Sequence, residues 1–523
     1  MNFKNIIKTH RFDVFAYSFF VLTPIAFIWS YRFLPLQDYP DWLFQGHLFS
    51  QAIKGQALAH YQFWQLPIPN SISTVFIGLF SLVFHPETSG KIFLTLCVLF
   101  FASSSYSLIN SLTQKKHSPL AYIPFIFILN APFFHGNINY LFGLSMLFYG
   151  IGYLLRRREA LFRINYLAMA SLSALLFFSH GIVSLAWFMF LGVFAVYCGK
   201  KISWTKYIAS QVPFIITWLI YAGYHFSHGY RITYLTTSPL GGALKTFILA
   251  RPFWFLSYFS ILRTFYPFST QEVGPVKMAM LLLINYSSCL LILGICFLWL
   301  KSFLKKQSAF MPLQITAIAF LGILLLFPVN FPSIIFPAQR FLYPTVWLML
   351  TALAPHYAIP QKNRMGRWLK IIIMTFFMVQ IVHIACNVVP ISKHMEAMHQ
   401  RLQQHGLPNE VAIINESVFD YEGLHQSKRF SKYLWQSHSP LNRLPYYLAL
   451  ETKTHMPIFA SALFFDTKGC DLLTVSDLGD LTHCPQYIII IGPSTGNTFI
   501  ANLLSRRYTT VLDDADYLIM RKK

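Results

Sequence analysis

Apolar residues fill the first three quarters of the chain in long blocks, and polar residues interrupt them only briefly. The blocks fall at 14–34, 67–84, 92–112, 120–134, 138–155, 164–179, 182–198, 207–226, 278–300, 312–329, 341–358 and 368–389. Most of them approach or reach the length of about 17–25 residues at which a helix crosses about 30 Å of hydrocarbon. A further apolar stretch, 244–265, holds Arg251, Pro252 and Arg263 and reads as an interfacial or re-entrant helix. The connection 35–66 has Lys54 as its one base and carries Leu43, Phe44, Leu48, Phe49 and Ile53 at near-helical spacing. That spacing predicts a surface helix at 41–53 lying in the interface, with Trp42 and Trp64 at headgroup level.

After Pro390 the pattern shortens. Strands at 411–415, 457–459, 487–491, 509–512 and 517–520 alternate with helices at 392–404, 441–450 and 498–506. Such alternation predicts a small α/β domain. Composition sharpens the picture: 55% of the 523 residues are hydrophobic and 11% charged, against roughly 25% charged in an average soluble chain. A disordered chain, a disulfide mini-scaffold and a cytoplasmic enzyme are excluded. The expected fold is an α-helical polytopic membrane protein of about 11–13 transmembrane helices over 1–390. A small extracytoplasmic α/β domain over 391–523 completes it.

The net charge of +22 lies entirely before residue 391, where 28 bases face 6 acids; after it, 13 meet 13. The bases gather in short turns: Arg156, Arg157 and Arg158; Lys200 and Lys201; Lys301, Lys305 and Lys306; Lys362, Arg364 and Arg367. Short basic turns stay in the cytoplasm and meet anionic lipid, so nucleic acid is not needed to explain the charge. The start, with Lys4, Lys8 and Arg11, reads as a signal-anchor with a cytoplasmic N-terminus. Counting onward from Arg156 puts everything after Pro390 outside. Twelve crossings cannot satisfy both ends, so one block between 60 and 155 does not cross. The weakest are 120–134, interrupted by Pro124 and Pro132, and 67–84, which opens on two prolines.

Acid is scarce enough to narrow the search for chemistry. Up to residue 390 the carboxylates are Asp13, Asp38, Asp41, Glu87, Glu159 and Glu272. Asp13 and Glu159 sit among cytoplasmic bases and read as topological. Asp38 and Asp41 follow the first crossing, where a carboxylate above the bilayer can take a proton from an acceptor hydroxyl or amine. The alternative for Asp38 is a helix or turn cap, and for Asp41, more strongly, the cap of the helix that follows. Arg340, at the outer mouth of a crossing, could grip phosphate bidentately or serve as an interfacial anchor. Arg231, Arg251 and Arg263, with His225 and His228, form a further outer basic group. His180 and His135 lie at junctions between apolar blocks, where a satisfied turn histidine and a functional one read alike.

Asp38-Tyr39-Pro40-Asp41-Trp42-Leu43, after a basic start and one crossing, resembles the GT-C superfamily of glycosyltransferases that use polyprenyl-phosphate sugars. More closely it resembles the Asp-Tyr-Pro-Asn-His-Leu opening of an uncharacterised group of bacterial membrane proteins with that architecture. Asn139-Tyr140-Leu141-Phe142-Gly143-Leu144, Arg340-Phe341 and the ending Tyr517-Leu518-Ile519-Met520-Arg521 match further motifs of that group. Asp41 and Trp42 depart from its Asn and His. The resemblance implies Asp38 as general base and stops there; Asp41 beside it is a catalytic candidate by its position alone. It implies a polyprenyl-phosphate sugar donor, a glycan, lipid or protein acceptor outside the cytoplasm, and a bacterial inner membrane. Arg340, Arg263, Arg251 and His180 would face the lipid phosphate. Some members use a divalent metal ion, for which Asp38, Asp41 and Glu272 could supply oxygens. The rival classes are a flippase of lipid-linked saccharides, disfavoured by the lack of mid-span acid and of paired repeats, and an envelope-assembly scaffold.

In the last domain Cys470 and Cys484 could pair, closing a loop of about 15 residues worth roughly 3 kcal/mol. Gly492-Pro493-Ser494-Thr495-Gly496-Asn497 follows a strand but lacks the lysine of a Walker motif, so it reads as an ordinary turn.

Overall fold

The computed structural model describes residues 3–56, 58, 61–63, 68–113, 118–161, 164–227, 275–305, 310–326, 330–331, 334–335, 337–358, 364–404, 411–415, 447, 450, 464–466, 487–491, 508–513 and 517–523. Six helical stretches are long and apolar enough to cross a membrane: Phe12–Trp29, Pro86–Leu112, Ile138–Arg156, Gly181–Cys198, Tyr286–Leu304 and Met365–Gln404. Pro119–Phe134, Tyr166–Ser179 and Met311–Leu324 are shorter apolar helices. Their outer flanks invert the soluble rule: Leu167 is 76% and Val196 78% exposed. An apolar exterior of this kind suits hydrocarbon rather than water.

The helices run in chain order as α1 (Phe3–Trp29), α2 (Tyr39–Ile53), α3 (Ile72–Phe80), α4 (Pro86–Ile109), α5 (Ala131–Phe134) and α6 (Ile138–Arg156). There follow α7 (Tyr166–Ser179), α8 (Gly181–Cys198), α9 (Trp204–Ser227), α10 (Pro275–Leu304), α11 (Met311–Leu326), α12 (Leu342–Leu353) and α13 (Arg364–Gln404). Hydrogen bonds fix which ends are level. At one end Lys370 pairs with Asp13, Tyr122 Oη donates to Asp13 Oδ1 at 3.5 Å, and Arg156 Nη1 donates to Ser107 Oγ at 2.7 Å. At the other, Ser71 N–H donates to Phe178 O at 2.9 Å, Tyr140 Oη to Arg340 O at 2.7 Å, and Ser392 Oγ to Phe33 O at 2.8 Å.

Several expectations need correction. The block 67–84 holds only α3, nine residues long. A helix of that length rises about 14 Å, half of what a crossing needs. It lies instead against α2 at the Arg340 end. Glycines permit the approach, since a Cβ on Gly46 would stand 2.5 Å from Ile77 Cγ2 and one on Gly78 2.9 Å from Gly46 O. The predicted surface helix is therefore a covered one: Tyr39, Asp41, Leu43, Phe44, Gln45 and Leu48 are all buried. Trp42, only 6% exposed, lies in the core rather than among headgroups, and Trp64 lies outside the described residues.

The block 120–134 is a 3-10 helix, Pro119–Phe127, followed by the single turn of α5. A 3-10 helix rises about 2 Å per residue, so these nine cover roughly 18 Å. The stretch runs from the Asp13 end, where Ser118 N–H donates to Asn110 Oδ1, to the far end. Its irregular backbone is enclosed by neighbouring helices, which is where such backbone is tolerated at membrane depth.

The boundary at Pro390 falls inside one helix, since α13 runs 41 residues without a break. Beyond the proline, Ile391, Met395, Met398 and Leu402 recur on one face and are buried, so packing continues the helix that the proline would otherwise end. Before α12, β2 (Asn330–Phe331) pairs antiparallel with β3 (Ile334–Ile335). In the last part of the chain, β4 (Val411–Asn415), β6 (Tyr487–Ile491), β8 (Tyr517–Lys522) and β7 (Tyr508–Asp513) form one sheet in that order, β4 parallel to β6 and the other pairs antiparallel. A second pairing was not foreseen. β1 (Tyr61–Phe63), in the first long connection, pairs antiparallel with β5 (Phe464–Asp466), Tyr61 opposite Asp466. Tyr447 Oη also donates to Leu34 O at 3.0 Å, which ties the last part of the chain to the stretch just before that connection as well.

Candidate functional site

The site is built around one turn, between α5 and α6. Gly136 has φ +70, the left-handed region where a side chain is strained. This lets the backbone of 134–136 turn its carbonyls toward the first connection. Gln37 N–H donates to Phe134 O at 3.0 Å, Asp38 N–H to His135 O at 3.1 Å, and Trp42 Nε1 to Gly136 O at 3.1 Å. Asp38 is thus docked by its backbone and stands partly exposed at the start of α2. Its carboxylate caps no first-turn N–H of that helix, so capping does not account for it.

The other side of the same turn holds Arg340. The Asn137 carboxamide, with its oxygen toward the guanidinium, accepts from Nη1 at 2.9 Å and Nη2 at 3.2 Å. The guanidinium carbon stands 5.1 Å from the centre of the Tyr140 ring, whose hydroxyl holds Arg340 O. His180 meets that ring edge-on at 5.2 Å. Burial, reinforced by the nearby Arg340 charge, pushes the His180 pKa well down, so the imidazole is neutral near pH 7. Asp38 and Arg340 therefore hang from residues two apart, His135 and Asn137, at the end of α6 opposite its basic Arg156.

Other candidates fare differently. Asp41 is 1% exposed and its Oδ1 accepts from Gln45 Nε2 at 3.1 Å, which fits a first-turn helix group better than a base open to an acceptor. Glu87 pairs with Arg32 Nε at 3.5 Å at the Asp38 end. Arg231, Arg251, Arg263, His228 and Glu272, the 244–265 helix, Cys470, Cys484 and the 492–497 turn lie outside the described residues. Among the described residues no three His, Cys, Asp or Glu side chains converge as a metal site. Sequence reasoning missed Asn137 and the role of Tyr140. The signal for Tyr140 was the Asn139-Tyr140 pair at the start of α6; Asn137 lies two residues before it and carried none.

No protein-family model matches the chain, no curated protein matches it, and no solved structure matches it.

Two predictions concern how this site is held. An alanine Cβ at Gly136 would stand 2.4 Å from Tyr39 N and 2.6 Å from Asp38 N, both backbone atoms with little freedom to yield. Gly136→Ala is expected to cost about 1–3 kcal/mol through strain and overpacking and to displace Asp38. A thermal melt in detergent that matches wild type would contradict this. Further along α2, burial pushes the His47 pKa down to about 4, with His85 and Lys54 adding to the effect. The unfolded chain takes up that proton first as pH falls. The stability His47 contributes is therefore complete above about pH 6.5 and declines until about pH 4. Melting temperatures across this range should fall less steeply in His47→Gln than in wild type.

Proposed function

We propose that the chain is a multi-pass membrane glycosyltransferase with a GT-C-like fold. It moves a sugar from a polyprenyl-phosphate donor to an acceptor outside the cytoplasm. The observation that carries this reading is the shared turn: the Asp38 backbone and the Arg340 guanidinium are held from either side of residues 135–137. Asp38 takes the proton of the acceptor O–H or N–H as that atom's lone pair bonds to the anomeric carbon. The bond from that carbon to the phosphate oxygen breaks, and its electron pair leaves on polyprenyl phosphate with inversion. Arg340 balances the charge that collects there. The six long helices and their apolar flanks support the membrane setting.

The level ends support eleven crossings: α1, α4, the 119–134 stretch, and α6 through α13 in turn. With α3 removed from the count, the number is odd. Every basic turn then falls on the Asp13 side, which is the cytoplasmic side by the excess of Lys and Arg. Asp38, Arg340 and the last domain share the outer side, in keeping with the β1–β5 pairing. A bacterial inner membrane is the setting that the sequence resemblance implies.

The test is profiling by mass spectrometry of envelope glycans, glycolipids and glycoproteins in wild-type and deletion strains of the source cell. Loss of one glycosylated product, restored by the intact gene, is the expected result. A deletion that leaves every profile unchanged would defeat the reading.

A further inference from the structure

Behind the turn that carries Arg340 runs a seam of buried polar groups. Asn139 is 2% exposed; its Oδ1 accepts from the Ser73 N–H at 2.8 Å, while its Nδ2 meets no protein acceptor. The Ser73 and Thr74 hydroxyls, fully buried, have no protein partner, and neither has the His180 Nδ1. These groups belong to one place. Ser73 and Thr74 open α3, Asn139 opens α6, and His180 precedes α8. The Ser71 N–H bond to Phe178 O brings the start of α3 to within two residues of His180. The Tyr140 ring contacts both His180 and the Arg340 guanidinium.

Buried polar groups are nearly always paired within the protein, so a run of unpaired ones is costly in a packed core. Three helix starts and a guanidinium beside them favour negative charge. We propose that this seam binds the phosphate of a lipid, with Arg340 supplying the charge and Asn139 Nδ2 and His180 Nδ1–H donating to its oxygens. Asn139, Ser73 and Thr74 thereby join the site as binding residues. The neutral His180 donates a hydrogen bond without adding charge, so the described seam offers one positive charge to one phosphate group. The identity of the lipid as polyprenyl phosphate rests on the sugar-transfer reading; the anion site itself does not.

The experiment titrates the full-length protein in detergent with a short-chain polyprenyl monophosphate, with phosphatidic acid and with inorganic phosphate, read by native mass spectrometry. Polyprenyl monophosphate is expected to bind best; equal binding of phosphatidic acid keeps the phosphate site and assigns it to bulk lipid. Binding of inorganic phosphate alone overturns the lipid assignment. Asn139→Asp keeps the acceptor for Ser73 N–H but replaces the donor with a repelling oxygen. It should weaken lipid-phosphate binding about tenfold or more, read beside a thermal melt of the same variant. His180→Phe, which fills the same space with a ring, should weaken binding as well and carries the test should Asn139→Asp melt early. Wild-type affinity in both variants overturns the seam. Because no sugar or acceptor is present, that outcome is distinguishable from a failure of the transfer reading, which would show as unchanged glycan profiles with lipid-phosphate binding intact.

Discussion

Under the proposed sugar-transfer reading, Asp38→Asn is expected to lower the transfer rate by about 10²–10⁴-fold, the contribution of a positioned general base. The two side chains have nearly the same shape, and the amide cannot accept the proton that the acceptor must lose. The backbone docking of the residue, its N–H on His135 O, is untouched by the substitution. Single-turnover transfer from a radiolabelled polyprenyl-phosphate sugar, beside a thermal melt of the same preparation, separates rate from fold. Asp38→Glu keeps a carboxylate and should retain part of the rate. A folded Asp38→Asn protein that transfers sugar at the wild-type rate would remove Asp38 from the chemistry.

Asp38 was legible in the sequence because acid is so scarce before Pro390 that each carboxylate can be weighed singly. Most apolar blocks were legible for a similar reason: a run of the right length, bounded by basic turns, has few alternatives. The strands at 411–415 and 487–491 fall where alternation put them. The failures have a common physical cause. Hydropathy reports that a segment avoids water and says nothing of whether lipid or protein covers it. The block 67–84 avoids water by lying on α2, through the paired Gly46 and Gly78, and the covered helix at 41–53 is the other half of the same contact. Pro390 misled in the opposite direction, since the buried row from Ile391 to Leu402 outweighs one missing helical hydrogen bond. The seam at Asn139 was not legible at all. A short motif fixes which residues open a helix, but only the fold brings the starts of α3, α6 and α8 to one guanidinium.

The same limit applied to Asp13, whose place among Lys4, Lys8 and Arg11 reads as mere topology. In the fold it pairs with Lys370, joining the first long helix to the last, at side-chain exposures of 19% and 9%. Tyr122 completes the group: its hydroxyl donates to Asp13, and its ring lies 5.0 Å from the Lys370 ammonium. Removing one partner leaves the other charge buried beside apolar neighbours. Asp13→Leu is therefore expected to cost about 3–5 kcal/mol. Replacing both charges should cost far less, because no uncompensated ion then remains; Asp13→Leu with Lys370→Met should recover most of the loss. Thermal melts of the two single variants and the double variant form a cycle that isolates the pair. Equal melting of Asp13→Leu and wild type would show that water reaches the pair and screens it. A double variant as unstable as the sum of the singles would show that each residue contributes alone. The expected pattern, a large single loss with recovery in the double, would make this ion pair a clamp that sets α1 beside α13. Asp38, nine residues beyond the end of α1, inherits part of its position from that clamp.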